Sequence, residues 1–273
     1  EDEIRSLLPS GFVERECGEE VLRAVDSGKV VLLYGPRRSG KTSLIGWIIH
    51  RLLEQGVPPR NINYASMDYL DLHSLISDTR KLVRRLVEEG RDGKVYLFID
   101  EIQRLEHAGL VLKQIHDARK GIRVLASGSS IPVMRERIKE YLTGRKIEFV
   151  LYPFSFIEFL KARRALPPER IRRYNPDEIE ELAELYGERL QSLWREFVET
   201  GGYPEAVVST LRKEWIFSGL FSSYLEKDVG TLVRAGNYAK FQEFVKLLAV
   251  EVGKTYNREK VAGILGRDRR TIE

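Results

Sequence analysis

Gly35-Pro36-Arg37-Arg38-Ser39-Gly40-Lys41-Thr42 fits the spacing G-x-x-x-x-G-K-[ST] at every place. The glycines let the backbone fold back on itself, so that successive N–H groups point into one concavity suited to an anion. A helix leaving from Thr42 and Ser43 adds the positive end of its dipole at the same spot. Lys41 can reach β- and γ-phosphates as a point charge, and the Thr42 hydroxyl can take one place around Mg²⁺. The expected ligand is a nucleoside triphosphate with Mg²⁺, held by Gly35 through Ser43. No guanine-reading N-K-x-D string occurs in the chain, which points to ATP (or its product ADP).

A second group of chemical residues closes an apolar run. Val95-Tyr96-Leu97-Phe98-Ile99-Asp100-Glu101 reads as a buried strand ending in two carboxylates. On a parallel strand the first polar residue emerges at the carboxyl edge, where ligands of open α/β sheets bind. Asp100 is then placed to hold Mg²⁺, and Glu101 to polarise a water for attack on the γ-phosphate. The alternative is an acidic pair capping the next helix. Val124-Leu125-Ala126-Ser127-Gly128-Ser129-Ser130 is a further strand ending in hydroxyls. Ser127 or Ser129 can sense the γ-phosphate or the attacking water, although Ser-Gly-Ser-Ser is also ordinary turn chemistry.

These groups need a sheet to bring them together. Short β-type runs alternate with helical patterns in the first half, which predicts an α/β layer with a parallel sheet. Strands are expected at Val30–Tyr34, Asn63–Met67, Val95–Ile99, Arg123–Ala126 and Ile147–Leu151, with helices at Thr42–Gln55, Asp71–Glu89 and Leu110–Lys120. Past Pro153 the pattern turns helical: Ser155–Ala162, Asp177–Thr200, Trp215–Asp228 and Tyr238–Val252. The basic stretch Arg163–Pro176 reads as a surface linker, and Gly201-Gly202-Tyr203-Pro204 as a tight turn docking Tyr203. The domains expected are a P-loop core (1–162), the linker (163–176), a helical lid (177–252) and a helix-turn-helix start (253–273). In Asn257–Glu273, Gly266 sits at the turn. Arg267, Arg269, Arg270 and Thr271 would then open the recognition helix, whose first residues reach base edges or phosphates. A protein-docking role for the same segment stays open.

Taken in order, these strings resemble the archaeal and bacterial AAA+-related P-loop ATPase family with a C-terminal winged helix, near the origin-recognition and signal-transducing NTPases. The strings that carry the resemblance are the Gly35–Thr42 loop, Ile99-Asp100-Glu101-Ile102-Gln103, Ser127–Ser130 and Leu142-Thr143-Gly144-Arg145. Tyr152-Pro153-Phe154-Ser155-Phe156-Ile157-Glu158-Phe159, Gly201-Gly202-Tyr203-Pro204-Glu205-Ala206 and Tyr224–Val229 complete the set. The resemblance implies a P-loop NTPase core on a parallel five-stranded sheet, an all-α lid and a winged helix. It implies an extra catalytic glutamate (Glu101) and an arginine after the fourth strand (Arg145) contacting a γ-phosphate in cis or in a neighbour. Phe12-Val13-Glu14-Arg15-Glu16 resembles the segment beside adenine in such ATPases, with Glu14 where glycine is usual. The expected activity is a slow Mg²⁺-dependent ATPase acting as a switch. A DNA-binding factor with mainly structural nucleotide, or a nucleotide-gated scaffold for a partner protein, are the alternatives.

Composition narrows the class. The chain has 273 residues, 42% hydrophobic and 32% charged, as a folded protein requires. Its net charge of +4 is too small to indicate nucleic-acid binding without a local cluster. One cysteine, Cys17, excludes an internal disulfide framework and a cysteine zinc site. The four histidines lack metal-ligand spacing to one another. No apolar run approaches the roughly 20 residues of a membrane span, so a cytoplasmic protein without membrane contact is expected. Sparse Asn and Gln with abundant Glu and Arg suggest a heat-adapted source, and the family resemblance implies an archaeal one. The ends, Glu1 without a methionine and Glu273 within a helical pattern, read as those of a fragment or processed form. Trp47, Trp194 and Trp215 are expected as core anchors.

Overall fold

Odd and even residues of the middle strands bury themselves on opposite faces of one sheet, and this alternation sets the architecture. The structure is a computed structural model describing residues 7–90, 93–118, 120–129, 138, 140–165, 176–227, 238–255 and 257–266. Strands β1 (Val30–Gly35), β2 (Ile62–Ser66), β3 (Val95–Asp100), β4 (Ile122–Ser129) and β5 (Lys146–Val150) are all parallel, in the order β2-β3-β4-β1-β5. One row of partners crosses the whole sheet: Tyr64, Phe98, Leu125, Val31 and Ile147.

Val31, Leu33, Tyr96, Phe98 and Leu125 pack under helices α1 (Gly18–Asp26) and α2 (Lys41–Glu54), against Val21, Val25, Leu44, Ile45 and Ile48. Their sequence neighbours Val30, Leu32, Leu97, Ile99 and Val124 face α3 (Leu70–Ser77), α4 (Thr79–Gly90) and α5 (Ala108–Asp117), through Ile76, Leu82, Leu86, Leu112 and Ile115. With both faces covered, β1 and β3 are buried along their whole length, which is why they read as continuous apolar runs. Strand β5 closes one edge and stays half-buried throughout. Because β4 lies between β1 and β3, the carboxyl ends of the three are neighbours, and the ligand-bearing loops meet there.

The expected helix over Asp71–Glu89 is two helices. Asp78 leaves the helical region at φ −81°, ψ 72°, and its carboxylate accepts the Lys81 N–H at 3.2 Å, so the side chain starts α4 anew.

A third apolar cluster lies beyond the sheet. It joins α6 (Phe156–Ala162), α7 (Pro176–Thr200) and α8 (Pro204–Val208) through Phe154, Phe159, Leu160, Ala165 and Val207, with Tyr186, Leu190, Leu193 and Phe197 against them. Ser155 and Glu158 form a capping box at the start of α6. Arg163 pairs with Glu196 and lies over the Phe159 ring, and Ala165 is buried. Residues 163–165 therefore belong to this packed cluster rather than to a linker, and 166–175 lie outside the described residues. The compact units divide after Ile216, within α9 (Lys213–Lys227), into Glu1–Ile216 and Phe217–Glu273. The aromatic packing of α6, α7 and α8 lies within the first of these units.

Trp47 is a core residue, lying against Gly18, where an added Cβ would meet its ring at 3.1 Å. The other two tryptophans correct the expectation, being 51% (Trp194) and 63% (Trp215) exposed. Trp194 sets its ring edge against Phe156 at the rim of the helical cluster, and Trp215 carries the Arg212 guanidinium.

In the second unit, α10 (Tyr238–Val250) is followed by α11 (Arg258–Leu265). Asn257 caps α11 by accepting the Lys260 N–H at 3.0 Å, Val261 and Ala262 are buried, and Gly266 ends the helix at φ 58°. Arg267, Arg269, Arg270 and Thr271 lie outside the described residues, as do Ser130, Asp228 and Val229.

Candidate nucleotide site

The loop is built by conformations that side chains resist. Gly35 ends β1 in register with Ser129, and a Cβ there would stand 2.3 Å from the Leu151 carbonyl oxygen and 2.9 Å from Ser39 Oγ. Only glycine fits that approach. Arg38 and Gly40 both take positive φ, at 60° and 94°, which turns the loop into the first residues of α2. Pro36, Arg37 and Ser39 complete the turn, closed by the Ser39 N–H on the Pro36 carbonyl at 3.3 Å. Ser39 Oγ is buried without a hydrogen-bond partner.

Lys41 is buried, with Nζ 3.0 Å from the carbonyl oxygens of both Gly35 and Pro36. It is the first residue of α2, so its ammonium lies over the mouth of the loop. Thr42 Oγ1 donates to Asp100 Oδ2 at 2.6 Å. Asp100 ends β3, buried, and takes three more donors: Tyr64 OH at 3.3 Å, its neighbour's Glu101 N–H at 3.0 Å, and the Ser127 hydroxyl. The Thr42 hydroxyl and the Asp100 carboxylate thus meet as the oxygen donors Mg²⁺ requires. Ser43 follows in the first turn of α2.

Glu101 adopts φ 55°, ψ 41°, the left-handed region, which turns its side chain back across the strand ends. Its Oε2 lies 4.0 Å from Arg37 Nη1 and accepts from Gln103 Nε2. Ser127 and Ser129 are divided in role. Ser127 is committed to Asp100, whereas Ser129 Oγ is buried with no partner and Ser129 N–H donates to Gln103 Oε1 at 3.2 Å.

Arg145 is placed elsewhere. It immediately precedes β5, its carbonyl accepts the Val30 N–H at 2.9 Å, and its Nε donates to Asp117 at 2.9 Å. That is the amino edge of the sheet, a full strand length from the loop, so a cis contact with a γ-phosphate is corrected. Hydrogen bonds from His116 and then Arg145 hold the Asp117 carboxyl below its ordinary range. Phe12 packs on the α1–α2 side and Val13 on the aromatic helical cluster, so the segment bridges two cores.

Three further residues have large roles here. Arg15, buried, donates to the Ser39 carbonyl at 2.8 Å and the Tyr152 carbonyl at 2.7 Å, and pairs with Glu158 at 3.0 Å. Glu158 had a readable signal, the Ser155-x-x-Glu158 capping box. Gln103 stands inside the quoted acidic string without a role read for it. The turn at Gly202 does more than dock Tyr203: its carbonyl accepts the Phe154 N–H at 2.7 Å, and Arg38 of the loop pairs with Glu205 at 3.0 Å.

A parallel sheet whose first strand feeds such a loop, faced by a strand-end aspartate, defines a Walker-type P-loop ATPase domain. Residues 27–160 match the family model described as an AAA domain, in agreement with a P-loop ATPase domain there. Residues 191–273 match a domain of unknown function (DUF8612). An uncharacterized protein of Haemophilus influenzae is 25% identical over 254 residues, 92% of this chain and 58% of that protein. Another, from Methanocaldococcus jannaschii, is 29% identical over 262 residues, 88% of this chain and 52% of that protein. The chain thus spans little more than half the length of these curated relatives. Among solved structures, the Walker-type ATPase PABY2304 of Pyrococcus abyssi is 20% identical, covering 93% of this chain and 88% of that chain with a TM-score of 0.46. PCH-2 of C. elegans is 14% identical, covering 82% of this chain and 72% of that chain with a TM-score of 0.41. Among the described residues no helix is long and apolar enough to cross a membrane.

Proposed function

We propose that the chain binds ATP with Mg²⁺ in the Gly35–Ser43 cradle, hydrolyses it slowly, and uses the nucleotide state as a conformational switch. The observation that carries this reading is the facing of Thr42 Oγ1 and Asp100 Oδ2 at 2.6 Å beside the buried Lys41 ammonium. Loop amides and Lys41 hold the phosphates, and Thr42 with Asp100 holds the metal. Bound Mg²⁺ supplies a positive centre that offsets charge developing on phosphoryl oxygens. Glu101 orients and deprotonates the attacking water, and the unpartnered Ser129 hydroxyl is the donor available to sense the γ-phosphate. Turnover is slow because Arg145 is too far away to stabilise that charge in cis. The switch reaches the helical cluster through Arg38–Glu205 and through Arg15.

Lys41→Ala removes the charge facing the phosphates. Its affinity for a fluorescent ATP analogue with Mg²⁺ is expected to fall about 10- to 100-fold, the worth of a charge-assisted hydrogen bond. Unchanged affinity overturns the reading.

Duplex DNA is the proposed partner of the C-terminal segment. The support is the capped helix α11 ending at a left-handed Gly266, followed in sequence by Arg267, Arg269, Arg270 and Thr271. Titration of the protein onto duplex DNA at two salt concentrations is expected to show weaker binding at the higher salt. A response absent at both turns the reading to a protein-docking segment.

A further inference from the structure

Gln103 lies in the short 3₁₀ turn Ile102–Arg104 directly after β3, and both ends of its side-chain amide are engaged. Nε2 donates to Glu101 Oε2, and Oε1 accepts the Ser129 N–H at 3.2 Å. The partners dictate this orientation. A flipped amide would set its oxygen against a carboxylate and its NH₂ against an N–H, losing both bonds. One side chain therefore connects the Glu101 carboxylate to the carboxyl end of β4, the strand bearing the unpartnered Ser129 hydroxyl.

The neighbouring strand leaves room for this bridge. A Cβ on Gly128 would stand 2.8 Å from Gln103 Oε1 and 3.2 Å from Ile102 Cγ2. Gly128 takes no positive φ, so the glycine there serves space rather than backbone conformation. Glu101 also needs a tether. Its left-handed backbone aims the side chain across the strand ends, and a glutamate has enough rotatable bonds to leave that direction unless something holds it. Arg37, at 4.0 Å, offers only a loose contact.

We propose that Gln103 is a positioning residue, whose amide sets the direction of the Glu101 carboxylate from the end of β4. The proposal rests on the reading of Glu101 as the water-orienting group. It makes Gln103 matter to turnover through Glu101, because its amide is bonded to Glu101 and to Ser129.

Four variants of the chain, Gln103→Met, Gln103→Glu, Gly128→Ala and the pair Gln103→Met with Gly128→Ala, separate this role from a structural one. Each is assayed for Mg-ATP turnover, fluorescent-nucleotide affinity and melting temperature, beside the unaltered protein and Glu101→Gln. Gln103→Met is expected to lower kcat about 10- to 100-fold, part of the 10²–10⁴ a placed base supplies, with nucleotide affinity unchanged. Gln103→Glu keeps the shape and an acceptor for Ser129 but sets a carboxylate against Glu101, so its kcat falls at least as far. Gly128→Ala displaces the amide and lowers kcat too, and in the pair the losses do not add. Unchanged kcat in the Gln103 variants and in Gly128→Ala, while Glu101→Gln is inactive, overturns the proposal and leaves the ATPase reading standing. Parallel losses of kcat, affinity and melting temperature make Gln103 a fold-holding residue and overturn it as well. An unaltered protein that binds Mg-ATP without cleaving it refutes the hydrolytic reading of Glu101, and the positioning role falls with it.

Discussion

Glu101→Gln is expected to bind Mg-ATP as tightly as the parent and to turn it over about 10²–10⁴-fold more slowly, the usual contribution of a general base. The substitution preserves shape. Its amide oxygen can still accept from Gln103 Nε2, so the left-handed turn after β3 keeps its support. Lost are the negative charge and the ability to take a proton from water. Asp100, Thr42 and Lys41 keep their mutual contacts, since Glu101 meets this group only through its own N–H on Asp100. Phosphate release under single-turnover conditions, with an equilibrium titration alongside, reads the two effects separately. Turnover at the parent's rate would remove Glu101 from the mechanism.

Arg15→Met is expected to destabilise the first unit by about 3–5 kcal/mol, as breaking one half of a buried ion pair does. The side chains of Arg15 and Glu158 are 4% and 5% exposed. The guanidinium serves the carbonyls of Ser39, Tyr152 and Pro153 at 2.8, 2.7 and 3.3 Å, and its Cζ lies 5.1 Å from the Phe154 ring centroid. Methionine fills much of the volume but strands those acceptors and a buried carboxylate. Glu158 keeps the N–H groups of Glu16 and Ser155, at 2.7 and 2.9 Å, but no countercharge in their midst. Lysine does not restore the site, because one ammonium cannot reproduce a planar fork of donors. Adding Glu158→Gln to Arg15→Met should recover part of the loss. The denaturant midpoint at constant slope is the measurement, and a loss below about 1 kcal/mol would reduce the pair to packing.

The sheet was readable because its chemistry is local. Runs such as Val30–Tyr34 and Val95–Ile99 have the length and continuity of strands covered on both faces, and all five expected strands lie within two or three residues of the observed bounds. The loop was readable for a similar reason, since glycine, lysine and threonine at fixed spacing leave few other structures. Arg15 was not, because its partners Ser39, Tyr152 and Glu158 come from positions up to 143 residues away and leave no periodicity. Arg145 shows the opposite failure: its place in the order of motifs suggested a phosphate contact, whereas register sets it at the far edge, opposite Val30. Trp194 and Trp215 are not the core anchors expected of them. A large ring can stand edge-on at the rim of a cluster or lie under an arginine and remain half in water. Asp78 is a subtler miss, one carboxylate dividing an amphipathic pattern whose apolar spacing runs on unbroken.

The phosphate loop is gripped from two sides of unlike permanence. Its inner flank leans on Arg15, sealed from water. Its outer flank meets the elbow after α7, where Arg38 and Glu205 pair at 3.0 Å with side chains 40% and 42% exposed, and Pro204 lies 3.9 Å from where a Gly40 Cβ would be. An ion pair that wet yields to brine, while the sealed one ignores it. Ionic strength therefore acts as a dial on one hinge pin alone, loosening the elbow's hold on the loop while the fold that carries both stays shut.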